Sequence, residues 1–435
     1  MSRATLRPSN ASPSRSPLSQ SIIRPLRDFL ATEAAGGVAV VVAAIAALVW
    51  ANSPWSGSYR SLWATDLGVR LGGLGFTLDL RHWVNDGLMT AFFLVVGLEI
   101  KRELVEGELR DRRKALVPVV AAVGGMVVPA LVFVAWNFGS SQVNGWGIPM
   151  ATDIALAVGI LALAGPAFPA GAKLFLLALA IVDDIGAILV IAVFYGSGGR
   201  RSLLLVAAVA IVIVLLARQY GVSALGVYVC LGVVLWWALY EAGVHPTLAG
   251  VVLGLLAPTQ PFMSGVFLDH DELADVSNVE HVVETVRLAK SSVSVVEWLE
   301  HRLHPWTSFF VVPIFAIANA GIEISGRSLG DAVGSRVTWG VALGLLIGKP
   351  LGILAATYLV VRVGAGALPE GTTWRDLSAA AVVAGVGFTV SLFVAELAFN
   401  GIAGDHAKVA VLVASVFAGT IGLLMARSSA RRRAT

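Results

Sequence analysis

Apolar residues in this chain fall in runs of about 20, the length that crosses a hydrocarbon core of about 30 Å as a helix. Val38–Trp50, Ala115–Trp136, Leu174–Phe194, Leu203–Leu216 and Val409–Met425 are examples, some extended at their ends by Gly or Ala. A membrane barrel would show alternation over about 10 residues instead. These runs do not alternate, so the pattern predicts an all-α bundle. Twelve transmembrane helices are expected, over 33–52, 84–104, 115–136, 147–165, 172–195, 202–218, 223–240, 245–258, 306–323, 337–361, 377–399 and 408–427. Two connections are long. Residues 53–83 read as short β pieces, with a turn at Gly72-Gly73-Leu74-Gly75 and alternation over Phe76–Leu80. Residues 259–305 carry helical periodicity with interleaved acids from Val279 to Leu303.

Composition fits this picture: 57% of the 435 residues are hydrophobic and 14% charged, far below the charge of a soluble domain. The placement of charge sets an orientation. An even number of spans puts both termini on one side, and 22 of the 31 Lys and Arg residues fall on that side. Both termini are therefore expected in the cytoplasm, loop 53–83 outside and loop 259–305 inside. The Ser/Pro/Arg-rich residues 1–28 read as a disordered cytoplasmic tail, 29–427 as the membrane domain and 428–435 as a basic cytoplasmic tail. No clear cleavage site precedes the first run, so it is expected to be retained. The arginine clusters at both termini are topogenic tails and not the folded basic surface that nucleic acid would need. The single Cys230, inside an apolar run, excludes a disulfide or thiolate-metal framework.

Ionisable groups deep in a bilayer cost about 2.5–3.5 kcal/mol each on insertion scales, so each needs a reason to be there. Asp183 and Asp184 lie ten and eleven residues beyond Lys173, about 15 Å along a helix, which is near the midplane. Adjacent residues point about 100° apart, so the two carboxylates face different surroundings. Asp184 is the expected cation ligand and Asp183 the expected partner of Lys349. Lys349 lies 13 residues from both Arg336 and Arg362, too deep to snorkel; it is either a structural counter-charge or a participant in transport. Asp153 follows Pro149 in a weakened span and is either a helix cap or an ion contact. A second weak span, Ala384-Gly385-Val386-Gly387-Phe388-Thr389, occupies the corresponding place in a later triplet. Spans three to five and ten to twelve run in opposite senses, as inverted-topology repeats with a midplane ion site do. Hard cations take oxygen ligands, which Asp183, Asp184, Thr152 and freed carbonyls supply. The chemistry points to a small cation competing with protons for one seat.

The chain resembles the NhaA sodium/proton antiporters from about residue 28 to 427. The matching stretches are Asn85–Met89, Gly97–Glu103, Ala151–Ala155, Asp183–Ala187, Gly243–His245 with Thr247–Gly250, Leu299–His301 with His304–Trp306, Phe315–Gly321, Gly348–Gly352 and Gly387–Thr389. Each is weak alone; together and in order they are specific. The resemblance implies a bacterial inner-membrane transporter exchanging cytoplasmic Na⁺, and Li⁺, for external protons, electrogenically and under alkaline activation, in the service of pH and sodium homeostasis. It implies two crossed, discontinuous helices whose dipoles Asp153 and Lys349 balance, and an ion and proton site at Asp183 and Asp184. It also implies pH sensing by Glu99, Glu103 and Glu300 at the cytoplasmic mouth, with His245 modulating from the outer end of its span. Glu99, Arg102 and Glu103 share one helix face by spacing; Arg102 is read as an interfacial anchor. Glu297 stands where some relatives carry a basic residue.

No enzyme and no resident cofactor are expected. An intramembrane aspartyl protease would place its two acids on separate helices, and Gly385-Val386-Gly387-Phe388 lacks the acid of a Gly-x-Gly-Asp motif. A passive channel needs no proton countertransport. A sodium-coupled symporter with similar crossed helices is the alternative, separated by the motif match alone. The expected partners are Na⁺ or Li⁺, protons, the bilayer and a second copy paired through loop 53–83.

Overall fold

The structure is a computed structural model that describes residues 35–71, 74–196, 198–222, 224–259 and 295–434. The expectations for the leading tail, for the turn at Gly72-Gly73 and for most of loop 259–305 lie outside the described residues.

The described chain is helical apart from one hairpin. Helix α1, Ala35–Ala51, is followed across a sharp bend by α2, Ser56–Trp63, which the β reading of 53–83 had missed. Its sequence, SGSYRSLW, is polar on average, so no apolar run announces it. The hairpin itself is present: β1, Asp66–Leu71, pairs antiparallel with β2, Leu74–Asp79, in the register Asp66 to Asp79.

The first membrane elements after the hairpin are α3, Met89–Val105, and α4, Arg112–Trp136. Asp111 caps α4 by accepting from the Arg113 amide at 3.0 Å. A 3₁₀ segment, Ser141–Met150, then leads through an extended break into α5, Ile154–Ala162, at a 43° bend. Helices α6, Ala170–Phe194, α7, Leu204–Gln219, α8, Leu225–Ala242, and α9, Leu248–Leu256, follow. Gly243 ends α8 at φ 77°, the left-handed cap that glycine adopts without strain.

After the undescribed segment come α10, Val295–Trp306, and α11, Val312–Asn319, joined by a π turn, and the short surface helix α12, Gly326–Gly334. Helices α13, Arg336–Leu343, and α14, Lys349–Arg362, are likewise joined through a π turn into one long rod. A second interrupted pair follows, α15, Trp374–Val383, and α16, Phe388–Ala398, bent by 45°. The last helix, α17, runs from Ile402 to Ala434. Residues 428–434, expected to be a tail, are therefore its final turns.

Six of the described helices are long and apolar enough to cross a membrane, or nine if each bent pair counts as one span. The remaining expected spans, 84–104, 245–258 and 306–323, are helical but contain π turns or only short regular segments. Large apolar side chains stand exposed on α7 and α8, among them Leu205, Val209, Val229 and Val233. On a protein in water such faces would be a liability; in a bilayer they face lipid.

Without a hydrophobic drive between helices, close contact in lipid depends on small residues. Two helix pairs show it. A Cβ on Gly352 of α14 would strike the Gly124 carbonyl of α4, and the reverse also holds. A Cβ on Gly250 of α9 would strike the Thr90 carbonyl of α3, while Gly97 and Gly254 meet backbone of the opposite helix. Between these pairs the core closes on aromatic rings, with Phe393 set against Phe93 and Phe315.

Candidate ion site

The two breaks meet. Residues 151–153 separate the 3₁₀ segment from α5, and residues 384–387 separate α15 from α16. The Asp153 amide donates to the Val386 carbonyl at 2.7 Å, tying one break to the other. Helix interruption frees backbone groups that need partners in a dry interior, and Asp153 supplies two of them. Its Oδ1 accepts from the Leu156 amide at 3.0 Å and so caps α5. Its Oδ2 accepts from the Thr389 amide at 3.1 Å and from Thr389 Oγ1 at 2.7 Å, in the first turn of α16. A single buried carboxylate thus faces two helix N-termini, where negative charge is favoured. Replacing Asp153 with Asn keeps the size and removes the charge. The expected loss is about 1–2 kcal/mol of stability or ion affinity. A melting temperature and an apparent Na⁺ affinity both equal to the parent's would show that the charge balances nothing.

Asp183 and Asp184 lie buried in the middle of α6, and Asp183 reaches this junction. Asp183 Oδ2 accepts from Lys349 Nζ and, at 2.7 Å, from Thr152 Oγ1. Ala384 O lies 3.0 Å from the same hydroxyl, so Thr152 spans α6 and the second break. Lys349 is wholly buried, and its ammonium also reaches the Met150 carbonyl, the end of the 3₁₀ segment. The lysine therefore joins a carboxylate to the negative pole of a broken helix.

Two oxygens in this cluster have no hydrogen-bond partner: Asp183 Oδ1 and Asp184 Oδ1. A buried acceptor left unsatisfied is costly, so the pair is short of positive charge or donors. No group of three or more His, Cys, Asp or Glu ligands forms among the described residues. A cation seated here would complete its shell with hydroxyl, carbonyl or water oxygens.

The expected pH sensors divide into two places. Glu99, Arg102 and Glu103 on α3 face α10, where Glu300 is buried and paired with the Arg102 guanidinium. Arg102, read as an interfacial anchor, is instead the counter-charge of Glu300. His304, one helical turn after Glu300, stands 3.8 Å from Glu99 and completes the cluster. The spacing of 300 and 304 was a legible signal for it. His245 does not join this group. Its Nδ1 lies 2.8 Å from Thr247 Oγ1, its Nε2 3.6 Å from Asp86 Oδ1, and its ring edge packs on Phe393. It lines a separate cavity of about 880 Å³, together with Asp86, Tyr240 and Glu396. Asp86 was the residue missed here, hidden inside a stretch quoted only as a motif.

Burial pushes the Glu300 carboxyl above the ordinary glutamate range; Arg102 and His304 oppose that rise, and Glu297 and Glu103 add to it. The packed state therefore favours the protonated acid. Its share of stability is full below the ordinary range and is lost as pH climbs through the raised value.

Comparison with known proteins follows from this geometry. The family model described as Na⁺/H⁺ antiporter 1 matches residues 27–426. A relative from Sorangium cellulosum, named Na⁺/H⁺ antiporter NhaA 2, is 44% identical over 427 residues, covering 94% of this chain and 91% of its own. One from Frankia alni, named Na⁺/H⁺ antiporter NhaA 3, is 46% identical and covers 92% and 88%. One from Shewanella pealeana, named Na⁺/H⁺ antiporter NhaA, is 44% identical and covers 92% and 96%.

Proposed function

Because this chain belongs to the NhaA family of Na⁺/H⁺ antiporters, we propose that it expels cytoplasmic Na⁺ and Li⁺ in exchange for a larger number of external protons, with alkaline activation. Family membership makes it a multi-pass membrane transporter of Na⁺ and H⁺ rather than an enzyme, and it does not favour the sodium-coupled symporter. The finer reading includes twelve spans, two crossed interrupted helices, both termini in the cytoplasm of a bacterium's inner membrane, and pairing of two copies through loop 53–83.

One observation supports the exchange chemistry above all: two unsatisfied carboxylate oxygens, on Asp183 and Asp184, buried where two helix breaks meet. Asp184, the acid without the lysine, is the cation ligand. Asp183 shares its charge with Lys349, so cation arrival and proton departure are coupled through one small cluster of interacting groups. Protonated carboxyls release the cation; deprotonated ones draw it in. Asp153 and the lysine hold the break points in place by matching the helix poles around them.

The test is dissipation of a proton gradient in inside-out membrane vesicles, scanned over Na⁺, Li⁺ and K⁺ and over pH. Na⁺ and Li⁺ collapse the gradient more steeply as pH rises, and K⁺ leaves it intact. A gradient that survives Na⁺ at every pH ends the reading.

Activation is assigned to the Glu99–Arg102–Glu103–Glu300–His304 cluster. Loss of a proton from Glu300 adds negative charge that attracts Na⁺ and shifts the α3–α10 packing around Arg102. Glu300→Gln keeps the neutral form at all pH values. Its activation curve is expected to move to more alkaline pH with the maximal rate retained. A curve that overlays the parent's transfers the sensor to other residues, Glu297 first.

A further inference from the structure

The last helix holds the interrupted helix α15–α16 at both ends. At one end is Asp376, in the first turn of α15, with no exposed surface. Its Oδ2 accepts from the Thr373 amide at 2.8 Å, from Thr373 Oγ1 at 2.7 Å and from Arg433 Nη2 at 2.6 Å. Its Oδ1 accepts from Ser429 Oγ at 2.6 Å. At the other end is Glu396, in the last turn of α16, whose Oε1 accepts from the ammonium of the buried Lys408. Ser429, Arg433 and Lys408 all belong to α17. Between the two ends α17 lies close against the break. A Cβ on Gly422 would strike Val383, and one on Gly419 would come within 2.9 Å of Ile160 on α5.

Spacing gives these pairs their meaning. Lys408 and Arg433 are 25 residues apart in sequence, about 37 Å along a helix. That exceeds a hydrocarbon core of about 30 Å, so the two pairs sit towards opposite membrane faces. The break at residues 384–387 falls between them, eight residues after Asp376 and nine before Glu396. Each half of the broken helix thus carries one carboxylate, and both take their cation from the same unbroken helix. A broken helix has no continuous hydrogen-bond ladder to fix its own length; here an outside element fixes it.

We infer that α17 is a strut that sets the position of the break, and that Asp376 with Arg433 and Glu396 with Lys408 are positioning pairs for the ion site. The inference rests on the antiporter reading above. The route to the site is short. The Ala384 carbonyl meets Thr152 Oγ1, which donates to Asp183, and Thr389 meets Asp153. Slippage of either half relative to α17 displaces these groups from the carboxylates that take the cation. A loosened clamp therefore acts on cation affinity before it acts on anything else.

The experiment uses full-length protein in inside-out vesicles, with the amount of folded protein and its melting temperature measured alongside Na⁺-driven exchange. Arg433→Gln and Lys408→Gln are each expected to raise the apparent KM for Na⁺ by up to about tenfold, the change that about 1.4 kcal/mol of lost ion binding produces, while the maximal rate stays near the parent's. Arg433→Lys keeps the charge and recovers part of the loss. The swap Glu396→Lys with Lys408→Glu restores the pair in reverse and recovers the KM. An unchanged KM in well-folded Gln variants, even with a lowered melting temperature, reduces the pairs to anchors and overturns the inference. Absence of Na⁺-driven exchange in the parent protein would instead overturn the antiporter reading, so the two failures are distinct.

Discussion

Asp184→Asn is expected to yield a folded protein that dissipates no proton gradient with Na⁺ or Li⁺, at the level of vesicles without the protein. Asn matches Asp in size, so the packing of α6 is kept. What it removes is the charge and the titration. One oxygen of Asp184 is buried without a hydrogen-bond donor, so no internal partner is orphaned by the change. The loss should thus appear in transport and not in the melting temperature. Asp183→Asn differs, because Asp183 also satisfies Lys349 and Thr152. That contrast makes the pair of variants informative: the Asp184 variant should fail only in exchange, the Asp183 variant in exchange and in stability together. Na⁺-driven proton movement at the parent's rate in Asp184→Asn would remove it from the site.

Lys349→Met is expected to cost about 3–5 kcal/mol, the usual toll for leaving one member of a buried ion pair alone. Asp183 Oδ2 loses its counter-charge and keeps only the Thr152 hydroxyl, and the Met150 carbonyl loses the ammonium. Neither is near water, since both Lys349 and Asp183 are almost wholly buried. Methionine fills most of the lysine's stem volume, so a cavity is not the main effect. The double variant Asp183→Asn with Lys349→Met removes both charges together and should recover most of the stability but none of the transport. Thermal unfolding in mild detergent reads the first quantity and vesicle exchange the second. A single Lys349→Met variant that melts with the parent would show that the ammonium does not hold the cluster together.

Much of the site was legible because lipid makes charge conspicuous. Asp183, Asp184 and Lys349 stand out in apolar runs, and glycines and Pro149 mark where helices weaken. The family, too, was readable from short motifs in order. What escaped has physical reasons. The Met150 and Ala384 carbonyls carry no sequence signal, since every residue has one. Asp86 partners His245, distant in sequence, and single-sequence spacing does not reach across helices. That residues 428–434 are helical was not legible, because charge alone does not separate a tail from a helix end. Arginine is in fact a good helix former, and Thr373-x-x-Asp376, a capping signature, hinted that a buried acid waited for one of them. Among the described residues, length and apolarity pick out six continuous helices, or nine with bent pairs, and pass over those that the chain bends or shortens.

The glycine contacts have a mechanical consequence. Packed helices shear past each other by exchanging one interlocking of side chains for another. Where α4 meets α14 at Gly124 and Gly352, and where α3 meets α9 at Gly97, Gly250 and Gly254, backbone touches backbone and no such layer exists. A slide of one turn, about 5.4 Å, would drive a Cβ into a main chain. Each pair is therefore welded and travels as one body. Any relative movement of these pairs then falls outside the two glycine contacts, at side-chain packing such as that of Phe93 on Phe393 of α16.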